Sequence, residues 1–166
     1  MKVLRPRYLT YVMYVGMMDG MSIPTHQKAG GRVYGFTQAR DSLKAILDSS
    51  DRGGLSTIRR PDRSSAAVVN SESLRRFLEM TVVANVQVVN EDGAWAVFMP
   101  GRPFAAEATD LDAALGDFVD ALRDYAEDWE DHLHAAPNHR ENWALVQLID
   151  LSTDEQLIAW LTGPAV

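Results

Sequence analysis

Hydrophobic positions change their period several times along the chain, and each change marks an element. Val33-Tyr34-Gly35-Phe36 is a short β-branched and aromatic run that reads as a strand. Ala39, Leu43, Ile46 and Leu47 then recur at i, i+4, i+7 and i+8. That is the spacing of a buried helical stripe, and it predicts a helix over 38–51 with Thr37 as its cap. Gly53-Gly54 stops the helix. Residues 55–59 and 65–69 read as two strands, because the Arg60-Pro61-Asp62-Arg63 segment between them carries turn chemistry. Ser71 is the expected cap of a second helix, with Leu74, Phe77 and Leu78 on its inner face. The order is β-α-β-β-α over about fifty residues.

A second pattern starts near Asn85. Val86-Gln87-Val88-Val89 and Trp95-Ala96-Val97-Phe98-Met99 flank Glu91-Asp92-Gly93, and Asp-Gly takes the positive φ values that a tight hairpin needs. Residues 104–108 read as a third strand. Thr109-x-x-Asp112 has the form of a capping box opening a long helix. Within it Leu111, Leu115, Phe118, Leu122, Tyr125 and Trp129 recur alternately four and three residues apart, a seam expected to pack on the hairpin. Its outer face carries Asp117, Asp120, Asp124, Glu127, Asp128, Glu130 and Asp131. Pro137-Asn138 ends this helix. Residues 139–149 and 153–161 read as two short closing helices, with 143–149 open between helix and edge strand. The fold class is α+β: a β-α-β-β-α unit, then a small antiparallel sheet with one long helix and two closing helices.

Composition sharpens this picture. A chain of 166 residues with 46% hydrophobic content is a folded protein of one domain or two small ones. The absence of cysteine removes disulfides, thiolate zinc sites and cysteine nucleophiles, and it suits a reducing cytoplasm, the expected location. No apolar run approaches the roughly 18 residues of a membrane span, so no membrane partner is expected. The net charge of −7 alone argues against nucleic acid, but the average hides a division. Residues 1–80 hold 13 Lys/Arg against 7 Asp/Glu, a balance of +6. Residues 81–166 hold 3 against 16, a balance of −13, and contain no lysine. Such asymmetry points to a part that meets an anion and a part that meets a cation or repels nucleic acid, the plain alternative being two solvated faces of opposite sign.

The organisation expected from these shifts is a leader over 1–21, a basic unit over 22–82 and an acidic unit over 83–166. Lys2, Arg5 and Arg7 before Tyr8–Val15 superficially imitate a signal peptide. However, the apolar stretch is short, Asp19 follows it, and no small-residue cleavage site appears. Met17, Met18 and Met21 are each usable starts, so the leader is expected to be disordered or untranslated.

In the basic unit Arg40 and Lys44, one turn apart, project from the face opposite Leu43 and Leu47. Arg59, Arg60 and Arg63 cluster at the hairpin, and Lys28 and Arg32 lie on a glycine-bearing arm. Two-fold symmetry would duplicate every one of these cations and let a dimer contact several phosphates on each half-site. The plain alternative is a solvated helix face and a solvated turn. The enzyme reading is weaker. His132, His134 and His139, near Glu130 and Asp131, have the composition of a metal site, but His132 and His134 point about 200° apart on a helix. There is no Walker glycine loop, no G-x-G-x-x-G after a strand and no nucleophile–base arrangement. The expectation is a protein that is not an enzyme, with no cofactor and no metal.

The basic unit resembles the Phd/YefM (prevent-host-death) family of antitoxins. Thr37-x-Ala39-Arg40-x-x-Leu43-x-x-Ile46-Leu47, the break at Gly53-Gly54, Ile58-Arg59-Arg60, Ala66-Ala67-Val68-Val69 and the short helix after Ser71 carry the likeness, over about 50 of 166 residues. The turn is one residue longer than the usual family pattern. The acidic unit resembles the HicB-type antitoxin domain, a small sheet with one helix similar to part of an RNase H fold without its catalytic carboxylates. Val86–Asn90, Gly93-x-Trp95-x-Val97, Pro100 and Glu107-Ala108-Thr109 entering Ala113-Ala114-Leu115 carry this second likeness.

Together the resemblances imply a type II antitoxin. It would be a homodimer that represses its own operon, with DNA contacts at Arg40 and at Arg59 or Arg60, and that neutralises a co-encoded toxin through its second unit. Leu55, Ile58, Val68 and Val69 are the candidates for a core shared between protomers. The carboxylates of the long helix would cover a basic toxin surface, whereas the plain reading is an ordinary solvent-facing helix. Two other functions stay open: a stand-alone dimeric DNA-binding regulator whose second unit senses a ligand or dimerises, and a small metal-dependent hydrolase using His132, His134 and His139.

Overall fold

The computed structural model describes residues 32–61 and 63–163. The expected leader, the arm bearing Lys28, and Asp62 lie outside these residues. The elements run β1 (Arg32–Gly35), α1 (Phe36–Asp41), α2 (Leu43–Asp51), β2 (Ser56–Arg59), β3 (Ala66–Val68) and α3 (Ser71–Thr81). They continue with β4 (Gln87–Glu91), β5 (Ala94–Phe98), β6 (Ala105–Ala108), α4 (Leu111–Asp131), two 3-10 turns (Leu133–Ala135 and Arg140–Asn142), α5 (Trp143–Leu151) and α6 (Asp154–Thr162). The class is α+β, as the pattern predicts.

The first sheet has the order β1-β2-β3. β1 pairs with β2 in parallel from Arg32↔Ser56 to Gly35↔Arg59, and β3 is antiparallel to β2. A parallel pair needs a crossover, which α1 and α2 provide. The helix expected over 38–51 is in fact these two pieces, broken at Ser42, where φ is −108° and ψ 13°. Backbone bonds survive the break, since Ser42 N–H still donates to Gln38 O and Ile46 N–H to Ser42 O, each at 3.0 Å. The stripe that is buried is narrower than the sequence pattern predicts. Ala39 and Ile46 are buried, while Leu43 and Leu47 are not. Helix α1 also starts one residue before Thr37, with extended Gly35 as its N-cap and no side-chain cap.

Helix α2 ends in a Schellman arrangement, with Gly54 N–H donating to Ser49 O and Gly53 N–H to Ser50 O. Gly53 adopts a φ of 78°, and a Cβ on Gly54 would lie 2.9 Å from the backbone oxygen of Ser49, so both positions favour glycine. Helix α3 is capped by Asn70 rather than Ser71, its side-chain oxygen accepting from Ser73 N–H at 3.1 Å. Its inward residues are Leu74 and Leu78, which pack toward α5, whereas Phe77 is exposed. Trp160 Nε1–H donates to Val82 O at 2.9 Å and fastens the end of α3 to α6.

The second sheet is an antiparallel meander, β4-β5-β6. Asp92 (φ 50°) and Gly93 (φ 85°) form its two-residue hairpin loop with the positive φ values of a type I′ turn. Helix α4 is capped by Asp110, which accepts from Ala113 N–H at 2.9 Å, one residue beyond the Thr109 expected. It packs on β5, β6, α5 and α6. Leu115, Phe118, Leu122 and Tyr125 of the seam are buried, together with Val97, Met99, Phe104 and the apolar residues of α5 and α6. Residues 143–149 are helical because Leu145, Val146, Leu148 and Ile149 are all buried. A strand would turn adjacent residues to opposite faces and expose half of them. Thr153 and Gln156 close a reciprocal capping box at the start of α6, at 3.3 and 2.9 Å. Among the described residues no helix is long and apolar enough to cross a membrane.

Candidate functional site

Because Gly35 is registered with Arg59, the exit of β1 into α1 and the end of β2 lie side by side. Arg59 ends β2 at that end of the first sheet, Arg60 and Arg63 lie in the turn that follows it, and Arg40 lies near the end of the six-residue α1. All four side chains are exposed. Arg40 lies 3.6 Å from Asp41, both largely in solvent. Arg60 donates to Ser64 O at 3.3 and 3.4 Å and closes the turn. Exposed pairs of this kind contribute at most about 1 kcal/mol, so a phosphate exchanges for them at little cost. Lys44, on α2, pairs with Asp48 at 2.9 Å. Arg32 is registered with Ser56 at the opposite end of β1, about 10 Å from the Arg59 end.

Two further arginines of the basic half are internally neutralised. Arg75 is largely buried and donates to Glu72 and Glu79, each at 3.0 Å, and Arg76 donates to Glu72 at 2.8 Å. Those hydrogen bonds, from Arg75 first and then Arg76, hold the Glu72 carboxyl down at about 2. Helix α3, with two arginines balanced by two glutamates, therefore adds no net positive charge to the surface.

Several large apolar side chains of this unit are exposed. Phe36, Leu43, Leu47 and Leu55, on and around the two helices, are 60, 52, 48 and 50% exposed, and Val33 in β1 and Val69 after β3 are exposed as well. Of the four residues expected in a shared core, Leu55 and Val69 are exposed, while Ile58 and Val68 are half-buried in their own sheet.

On α4 all seven expected carboxylates are exposed. Asp117, Asp120, Asp124, Asp128 and Asp131 step three or four residues apart and make one stripe, with Glu127 alongside. Glu130 departs from it toward α5. There Asp150 has its carboxyl pushed up, first by burial and then by Glu130, against the opposing pull of Arg123. Arg123 itself is a structural group that the sequence pattern did not single out. It donates to Ile149 O, to Ser152 O and to Asp154 Oδ1, the last at 2.8 Å, and pins the α5–α6 corner to α4. The signal for it was present: a lone cation within a 21-residue acidic helix.

The histidines diverge. His139 Nδ1 meets the buried Tyr125 hydroxyl at 2.9 Å, and Asn142 Nδ2–H donates to that hydroxyl at 2.6 Å. Arg102 donates to Asn142 Oδ1, and Trp129 Nε1–H to His139 O. His132 lies 3.2 Å from Asp131, and His134 Nδ1 lies 3.2 Å from Trp129 O. Among the described residues no three His, Asp or Glu side chains gather into a metal-holding group.

No protein-family model matches the chain, and no curated protein matches it. A solved structure does. It is a protein of Syntrophomonas wolfei subsp. wolfei, described as the antitoxin part of a proposed toxin/antitoxin system, with a TM-score of 0.67 at 15% sequence identity. The likeness covers 78% of this chain and 95% of that one. A span of that length exceeds either half of the sequence, so it takes in part of each. At this level of identity what the two proteins share is the fold.

Proposed function

We propose that this chain is the antitoxin of a type II toxin–antitoxin module. The observation that carries the reading is the fold likeness just described, which spans both halves and nearly the whole of a protein described as an antitoxin. The order of elements around the first sheet supports a Phd/YefM-like DNA-binding unit, and the meander with α4 supports a HicB-like toxin-binding unit. The cations at Arg40, Arg59, Arg60 and Arg63, with Lys44, Arg32 and Lys28 flanking, would grip operator phosphates and repress the protein's own operon. The face of Phe36, Leu43, Leu47 and Leu55 would be shared between two protomers, and two copies of the cation cluster would then meet adjacent half-sites. The acidic half, with Asp117, Asp120, Asp124, Glu127, Asp128, Glu130 and Asp131 on α4, would draw a cationic toxin from solution and hold it covered. The action is occlusion in the cytoplasm, with no bond made or broken and no cofactor.

The test is titration of the protein with DNA of its own promoter at several salt concentrations, in parallel with purification alongside the product of the adjoining reading frame. Stoichiometric capture of that product, together with specific promoter binding, supports the reading. Arg40→Ala should then lower the slope of log K against log salt by about 0.9 for each phosphate that is no longer neutralised. Promoter binding without capture favours the stand-alone regulator instead, and an unchanged slope returns Arg40 to a solvated helix residue.

A further inference from the structure

We infer that β4 and the face of the second sheet that no described residue covers are the docking site for an extended, cationic segment of the toxin, which adds to the sheet as a fourth strand. This rests on the antitoxin reading and says which surface of the acidic half makes the contact.

The backbone is the first argument. β4 is an edge strand in the order β4-β5-β6, and all five of its residues are exposed. Helix α4 packs on β5 and β6, so even Val88, registered with the fully buried Val97, stays 44% exposed. Natural edge strands are blunted by charged side chains, lysine above all, by proline or by a bulge. Gln87-Val88-Val89-Asn90-Glu91 has no lysine, proline or bulge, its one charge is Glu91 at the hairpin end, and its register with β5 is unbroken from Gln87↔Phe98 to Glu91↔Ala94. This edge of five residues, about 17 Å long, has an outer row of backbone groups that no other strand among the described residues takes up, and it offers them to an incoming strand.

The side chains give the second argument. Alternation along the meander sends Trp95, Val97, Ala106 and Ala108 toward the core and α4. Val89, Ala94, Ala96 and Phe98 floor a hollow of about 540 Å³ on the opposite side, rimmed by Glu91, Asp92 and Glu107. An apolar floor with three carboxylates and no cation fits lysine or arginine, whose stems cover Ala96 and Phe98 while their heads reach the rim. A second copy of this chain fits poorly, because it would bring the same carboxylates, within a half of net charge −13, against themselves. The α4 stripe lies on the other side of the sheet, where it raises the rate of encounter rather than forming the contact.

The experiment uses the full-length protein, with the product of the adjoining reading frame as probe. Val89→Arg and the double variant Glu91→Lys/Glu107→Lys should each weaken binding tenfold or more, chiefly through faster dissociation. Asp117→Lys/Asp124→Lys should slow association at low salt and leave dissociation nearly unchanged. All these positions are exposed, and circular dichroism checks that the variants fold. Hydrogen exchange on the unaltered complex, which needs no variant, should show new protection at 87–91. If the sheet variants bind within twofold of the wild type while the α4 variants fail, the helix is the docking site; the inference falls and the antitoxin reading stands. If Val89→Arg instead lowers the mass of the free protein in light scattering, the edge pairs copies of this chain and the inference also falls. If the unaltered protein does not bind the probe at all, the antitoxin reading fails and the inference goes with it.

Discussion

Residues 32–70 and residues 82–163 make the same kind of object, a three-stranded sheet with helices laid against it, and differ in how far the helices reach. In the second region the 21-residue α4, with α5 and α6 behind it, fully buries Phe118, Leu122, Leu148, Ile149 and Leu157. In the first region the helices are six and nine residues long, and among the described residues Ala39 and Ile46 are its only buried hydrophobic side chains. Leu43, Leu47 and Leu55 are as apolar as anything in the second core and stay half in water. An apolar stripe therefore declares a surface to be covered without saying what covers it. In the second region the chain covers it. In the first, a second protomer does so under the proposed function, and covering the exposed half of a leucine contributes about 1 kcal/mol.

The contrast is tested most severely in the second core. Phe118→Ala removes a side chain with no exposure at all and should cost about 3–5 kcal/mol. Urea unfolding followed by far-ultraviolet dichroism measures it; a loss below about 1 kcal/mol would make the second region no better packed than the first. Leu55→Glu addresses the first region. It should leave the monomer's helical content intact yet raise the dimer dissociation constant about thirtyfold, the equivalent of about 2 kcal/mol. Light scattering across a dilution series reads this, and an unaltered mass would mean that the face is not shared. Arg123→Leu asks whether the second region depends on one polar tie as well as on packing. Losing bonds to two carbonyls and a carboxylate should cost about 1–2 kcal/mol in the same urea assay.

The smallest effect belongs to α3, which joins the regions in sequence. Glu72 has a folded pKa near 2, lowered from 4.5 by Arg75 and Arg76, so the fold favours its ionised form. Its contribution is complete above pH 4.5 and drains away as the pH falls toward 2. Glu72→Gln should therefore lower the melting temperature slightly at pH 7 and match the wild type at pH 2. A difference that persisted unchanged at pH 2 would detach the effect from this carboxylate.

Much of this was legible locally. The Asp92-Gly93 loop, the Gly53-Gly54 stop and the four-three seam of α4 are set by φ preferences and side-chain periodicity that act within a few residues. Cap positions slipped by a residue or two, because Asn70-Ser71 and Thr109-Asp110 are neighbouring cap formers. In both pairs it is the Asn or Asp side chain that reaches the amide three residues on. The charge division was also visible, and so in principle was the neutralisation of Arg75 and Arg76, because Glu72 and Glu79 stand three or four residues away on the same predicted helix.

The order and kind of nearly every element, and the opposite charges of the two halves, follow from the amino-acid sequence alone, since propensity, turn chemistry and composition are properties of short windows. Tertiary packing was needed to establish which leucines are buried, that 143–149 is a helix, that Arg123 is a tie and that β4 is an edge strand. Each of these depends on what lies across a sheet or beside a helix, and no residue carries a record of its distant neighbours.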